Sequence, residues 1–344
     1  MKKLLVAIVG ILVLLVVAVL AIPSLVDLRP HVAKAVREAT GRDLRIEGDL
    51  HVSLLPRLRI AAGGIHLANA PGAAAPDMLS IGGLTLEAGL WPLLGRRLVV
   101  DSLVLDHPVA NLEVDAQGRP NWDFGQPARD PAQPQEDREA TDGQALKDLR
   151  LGDIRIEGGQ LSYRDGVTGQ VIEARDATLA ATMAEIDSPL TATMRMVLND
   201  APVTADLAVD AIGKLQRGEQ ARVTMALDAT HATAKFDGAA QQRPVPGLDG
   251  TFDLDIPSVG KLAAWLKAPL DPARPDPGPL RARAVFAADG TRSVLREATV
   301  TGTALDVKAS GSLETGGEAT RLVANVETGV LDIDRYLPPQ ARAG

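Results

Sequence analysis

Residues Asp43–Leu54 read DLRIEGDLHVSL. Leu44, Ile46, Leu50, Val52 and Leu54 all stand at even positions, and Arg45, Glu47, Asp49, His51 and Ser53 fall between them. Successive side chains of a strand point to opposite faces, so the stretch predicts β-structure with one apolar and one polar face. Gly48 stands in the apolar phase without a side chain, which marks a bend or bulge.

The same alternation continues outward. Leu58 and Ile60, Ile65 and Leu67, Leu84 and Leu86, Leu98 and Val100, Leu103 and Leu105, and Leu112 and Val114 repeat it. Gly63-Gly64 and Gly82-Gly83 punctuate it as turns or phase shifts. It resumes at Ile154 and Ile156, Leu161 and Tyr163, Met194 and Met196, Leu207 and Val209, Val223 and Met225, Phe252 and Leu254, and around Val326. Alternation of this kind belongs to antiparallel sheets with one covered face, whereas parallel α/β sheets show continuous apolar strands separated by helices.

Four segments break the pattern. Leu4–Ile22 is an uncharged apolar run behind Lys2 and Lys3. Its 19 residues would make a helix of roughly 28 Å, close to the bilayer's hydrocarbon thickness. It is longer than a signal-peptide core, and Pro23 follows directly, so it reads as an uncleaved anchor. Pro30 to Gly41 carries Val32, Ala35, Val36 and Ala39 on one helical face, a short helix expected to cap the first strands. Gly125–Gly143 reads GQPARDPAQPQEDREATDG and has no large aliphatic residue, so a flexible linker is expected there. Ser258 is placed to N-cap a helix bearing Leu262, Trp265 and Leu266. The organisation that follows is a cytoplasmic stub at 1–3, a transmembrane helix at 4–22, a first β region at 23–124, the linker at 125–143 and a second β region at 144–344.

Composition excludes several function classes. A net charge of -8 and no basic stripe oppose nucleic-acid binding. With no cysteine there is no disulfide, thiolate nucleophile, lipidated cysteine or thiolate zinc site. His31, His51, His66, His107 and His231 form no zinc-ligand spacing, and no metal or cofactor site is expected. Asp253 with Asp255 and Asp332 with Asp334 are alternate-position pairs on polar strand faces and read as solvated carboxylates. No GxSxG elbow, P-loop or dinucleotide fingerprint appears. The chain reads as a non-enzyme, with no catalytic residue.

Several phrases in order resemble the AsmA family: ATGRDLRIEGDLHVSLLPRLRIAAGGIHLANAP (Ala39–Pro71), WPLL (Trp91–Leu94) and LVLDHPVANLEVDAQGRPNWDF ending at Phe124, all after a single N-terminal apolar run. DIRIEGGQLSYRDGVTG (Asp153–Gly169) and LDIDRYLPP (Leu331–Pro339) are similar to later family segments. The resemblance implies a single-pass protein of the Gram-negative inner membrane with its body in the periplasm. It also implies a role in outer-membrane lipid homeostasis and a likeness to bridge-like lipid-transfer proteins, in which a long curved antiparallel β-sheet forms an apolar groove for acyl chains.

Two functions from different classes fit. In one, apolar strand faces line a groove for phospholipid acyl chains, with Leu44, Ile46, Leu50, Val52, Leu54, Leu84 and Leu86 as lining and Trp122, Trp265 and Leu266 closing the ends. In the other, the same faces close into a β-sandwich, and the protein is a scaffold or assembly factor for outer-membrane proteins. An aromatic content of 3% leans toward the first, because aliphatic faces accommodate acyl chains without specific stacking. The partners expected are phospholipid, the inner membrane and outer-membrane or periplasmic assembly proteins.

Overall fold

The computed structural model describes residues 29–54, 57–89, 92, 99–124, 150–242, 245–268, 270–271, 275–303, 305–315 and 320–333. The apolar run 4–22 and the stretch 125–143 lie outside them. Among the described residues no helix is long and apolar enough to cross a membrane. The described residues are mainly β, with sixteen strands and few helices, and the chain divides into two compact units, residues 1–184 and 185–344.

The first unit opens with helix α1 (Arg29–Thr40). Val32, Val36 and Thr40 are buried at four-residue intervals, and Gly41, at φ 68°, ends the helix by donating its N–H to the Arg37 carbonyl at 2.8 Å. Seven strands follow: β1 (Leu44–Ile46), β2 (Leu50–Ser53), β3 (Leu58–Ala68), β4 (Asp77–Ala88), β5 (Val99–Val114), β6 (Arg150–Asp165) and β7 (Val171–Met183). β1 and β2 both pair with β3, and β3 to β7 lie in chain order.

One pair departs from the antiparallel sheet expected. β5 and β6 run parallel, in register from Val99 opposite Arg150 to Val114 opposite Asp165. Parallel neighbours cannot be joined by a hairpin and require a crossover of a dozen or more residues. Residues 115–149 supply it, so the proline-rich stretch lies within a connection inside the first unit. The division between the two units falls between Ala184 and Glu185.

The glycine pairs are phase shifts within strands. Leu58, Ile60 and Ala62 are buried before Gly63-Gly64, and Ile65 and Leu67 after it. Gly63 pairs with Gly83, Gly83 with Asp106, Asp106 with Glu157 and Gly159 with Ala177. Left-handed backbone at Gly64, His107, Gly158 and Asp176 follows the same line across the sheet. Each strand thus changes parity at one seam, and the apolar residues stay on one face.

The second unit holds β8 (Leu190–Leu198), β9 (Ala201–Val209), helix α2 (Ile212–Arg217), β10 (Ala221–Ala229), β11 (Ala232–Gln241), β12 (Gly247–Ile256), helix α3 (Val259–Trp265), β13 (Leu280–Asp289), β14 (Arg292–Gly302), β15 (Leu305–Glu314) and β16 (Arg321–Leu331). All nine strands belong to one sheet in chain order, each antiparallel to the next. Among the described residues no second sheet is present within the unit to complete a sandwich.

Candidate functional site: an apolar sheet face

The two units treat their apolar faces differently. In the first, Leu50, Ala62 and Leu84 are opposite one another across three strands, as are Val52, Ile60 and Leu86. Val32 and Val36 of α1 bury themselves in the same cluster. Leu84 and Leu86 are fully buried, Leu44, Ile46, Leu50 and Val52 are half-buried against the cluster, and Leu54 is 43% exposed at the rim. The sequence-identified lining residues do share a face, and that face is a core under a helix. Periodicity distinguishes apolar from polar faces, but a covered and an open apolar face alternate identically.

In the second unit the register aligns an uninterrupted apolar row across nine strands: Ala192, Leu207, Met225, Phe236, Phe252, Ala284, Ala298, Ala309 and Val326. A parallel row runs from Met194 through Ala205, Leu227, Ala234, Leu254, Ala282 and Val300 to Val307. None of these residues carries a charge. At strand spacings of about 4.8 Å the nine-strand row runs roughly 38 Å along the sheet. Leu207 is 37% and Met225 41% exposed, and Met194, Leu227, Phe252 and Leu254 are half-buried. Phe236 and Ala234 are buried within the rows, and the exposed apolar side chains are Leu207, Met225 and Val326.

Local packing shapes the row. Phe236 lies across the Gly238–Gly250 pair of β11 and β12; a Cβ on Gly238 would meet the ring at 2.7 Å and one on Gly250 at 3.0 Å. Phe286 stands 6.2 Å from the same ring. The glycines therefore let an aromatic ring lie against the backbone, where a larger residue would push it outward. The many alanines leave this part of the face thin.

The opposite face is polar and largely self-compensated. The row between the two apolar ones reads Thr193, Asp206, Ala226, Lys235, Asp253, Arg283, Thr299, Lys308 and Glu327. Arg283 reaches Asp253 at 2.7 Å, Arg281 reaches Asp255 at 2.8 Å and Arg222 reaches Asp237 at 2.9 Å. The alternate carboxylates Asp253 and Asp255 are thus cross-strand ion-pair partners. Exposed pairs of this kind contribute little stability, on the order of 0–1 kcal/mol each, but they favour one register and keep this face in water. A concavity of about 740 Å³ lies on this side, lined by Thr193, Asp206, Lys235, Asp237, Asp253 and Arg283 among others. Its charges are of mixed sign, which suits neither an acyl chain nor a strongly charged ligand.

Trp122 and Trp265 lie outside the strands, Trp122 in the turn after β5 and Trp265 at the end of α3. Trp122 packs against the first unit's core, 6.2 Å from Tyr163. Its neighbour Asn121 is buried: its amide donates to Asn69 Oδ1 at 2.8 Å and the Asn111 carbonyl at 2.7 Å, while its Oδ1 accepts the Glu113 N–H at 3.0 Å. Such a satisfied buried amide ties the turn after β5 to the sheet. The sequence offers no periodic signal for it. Trp265 donates its indole N–H to the Leu198 carbonyl at 2.6 Å, Asn199 donates back to the Trp265 carbonyl at 2.8 Å, and the His231 ring lies 5.5 Å away. Trp265 thereby covers the turns closing β8–β9 and β10–β11; Leu266 stays 36% exposed.

Helix α3 is held from its N-terminus. Ser258 accepts the Lys261 N–H at 3.2 Å and donates its hydroxyl to Asp276 at 2.7 Å. Asp276 also accepts the Gly260 and Gly278 N–H groups at 3.0 and 2.9 Å. These donors, the Ser258 hydroxyl foremost, hold the Asp276 carboxyl below the usual carboxylate range. Among the described residues no group of three histidine, aspartate or glutamate side chains is placed to hold a metal ion.

None of the curated proteins matches the chain. The AsmA family model matches residues 1–256, from the N-terminal run to the end of β12, and with three-quarters of its length so covered the chain belongs to the AsmA family.

Proposed function

We propose that this protein binds or transfers phospholipid, anchored in the inner membrane by Leu4–Ile22 with its body in the periplasm, in the service of outer-membrane lipid homeostasis and envelope assembly. The observation that carries the reading is the uncharged row from Ala192 to Val326, exposed at Leu207 and Met225 and, among the described residues, without a covering sheet in its unit. A methylene fully removed from water contributes about 0.8 kcal/mol; an open face covers roughly half of each, so a chain of about sixteen carbons laid on it gains on the order of 6 kcal/mol before ordering costs. Membership of the AsmA family supports an envelope role. The sites of lipid contact are placed in the second unit, on Leu207, Met225 and Phe252, in preference to the helix-covered Leu44–Leu54 face.

Mass spectrometry of lipids that copurify with the full chain tests the reading. Phospholipid is expected with the parent protein. In Met225→Asp it should fall at least tenfold while the circular dichroism spectrum is unchanged, because an exposed position hydrates the new charge. Thr299→Asp is the matched control on the polar face, between Arg283 and Lys308, and should retain lipid. A parent protein without lipid, or a Met225→Asp variant with undiminished lipid, contradicts the proposal and favours the scaffold reading.

A further inference from the structure

Strand β16 ends the second unit's sheet: it pairs with β15, and among the described residues no strand pairs with its outer edge. Every residue from Arg321 to Leu331 is exposed, with Leu322 at 70% and Val326 at 58%. Natural edge strands are normally protected by proline, lysine, bulges or shortness. β16 is eleven residues long, RLVANVETGVL, with neither proline nor lysine, and its register irregularity against β15 lies between Thr328 and Leu331, outside the Arg321–Glu327 segment. Such an edge is a template for another strand.

The sequence of this edge complements itself. In an antiparallel pair of two copies centred on Ala324, Arg321 of each lies opposite Glu327 of the other, so both charges are paired twice. Leu322 lies opposite Val326 and Ala324 opposite itself on one face; Val323 lies opposite Asn325 on the other. Within the sheet, Val326 belongs to the apolar row beside Ala309, and Glu327 to the polar row beside Lys308. This register therefore continues apolar face into apolar face and polar into polar. Moving the centre to Asn325 sets Glu327 opposite Val323, and moving it to Val326 sets Glu327 opposite Asn325. Only the first register pairs the charges.

We propose that β16 is a self-association edge, on which a second copy of this chain docks antiparallel about Ala324. The inference goes beyond the lipid reading and stands without it. A single shared strand edge buries less than the roughly 1,600 Å² of a standard interface, so association in the micromolar range is expected.

The cysteine-free chain permits a direct test on purified full-length protein. Opposed residues of an antiparallel pair have Cα atoms about 4.5–5.5 Å apart, within disulfide reach. Under mild oxidation Ala324→Cys should form a disulfide-linked dimer. Leu322→Cys should not, because the register separates the two copies of this residue by four positions, roughly 13 Å. Leu322→Cys mixed with Val326→Cys should crosslink. In sedimentation, Arg321→Glu or Glu327→Arg alone should weaken association at least tenfold, and the two together should restore it; both positions are exposed, so each variant folds. Three results would overturn the proposal: a monomer at tens of micromolar with Ala324→Cys left reduced, Leu322→Cys crosslinking as well as Ala324→Cys, or an association indifferent to both charge reversals.

Discussion

Gly158 sits at φ 64° beneath the His107 imidazole, and a Cβ there would meet that ring at 2.7 Å. His107 is itself left-handed, at φ 46°, with Nδ1 2.6 Å from Asp106 Oδ1. An alanine at 158 would bring both a left-handed backbone cost and a steric one. Gly158→Ala should therefore destabilise the first unit by about 1–3 kcal/mol, read as a lower denaturant midpoint. Gly169→Ala, whose φ of 75° is similar but whose Cβ would meet nothing within 4 Å, separates the two terms and should cost less. A Gly158→Ala midpoint equal to that of Gly169→Ala would remove His107 from the account. Residue by residue, the seam was partly legible. Gly63-Gly64 and Gly82-Gly83 announce a phase shift in β3 and β4, but His107 and Asp176 carry it in β5 and β7 without glycine, so composition is silent there.

At the scale of elements, α3 depends on Asp276. Its folded-state pKa lies below the ordinary carboxylate value, so the contribution of the ionised group is fully present above the unfolded value of about 4 and is lost as pH falls through the lowered folded value. Amide protection factors in residues 259–266 should therefore be high at pH 7 and drop as the pH falls below the ordinary carboxylate range. In Asp276→Asn, which keeps an acceptor but no titrating charge, they should lie lower at pH 7 and change little with pH. A parent protein whose protection in α3 is flat across that range contradicts the assignment. The Ser258 cap and the Leu262–Trp265 helix were readable in advance, since a cap followed by helical spacing is a local signal. The parallel β5–β6 pair was not, because alternation specifies which face is apolar and says nothing of strand direction. The 115–149 connection is long enough to permit the parallel crossover. Alanine-rich positions such as Ala284, Ala298 and Ala309 were overlooked for a related reason: a small side chain gives a weak hydrophobic signal, and only the register shows that it completes a row with Met225 and Phe236.

Across the whole chain, two apolar sheet faces have different fates, one rich in leucine and isoleucine and one thinned by alanines. The face of the first unit carries α1 and serves as a core; that of the second leaves Leu207 and Met225 to solvent. The physical difference lies in the cost of a charge. At Leu86, with 1% of its surface exposed, a carboxylate would be buried unpaired, whereas at Met225 it would remain hydrated. The measurement that tests this division most directly is site-specific photocrosslinking, in membranes, from a diazirine side chain placed in turn at Met225, Leu86 and Lys235. The account predicts phospholipid adducts from 225 and none from the buried 86 or the polar-face 235. Adducts at 86 without adducts at 225, or equal labelling from 225 and 235, would contradict it.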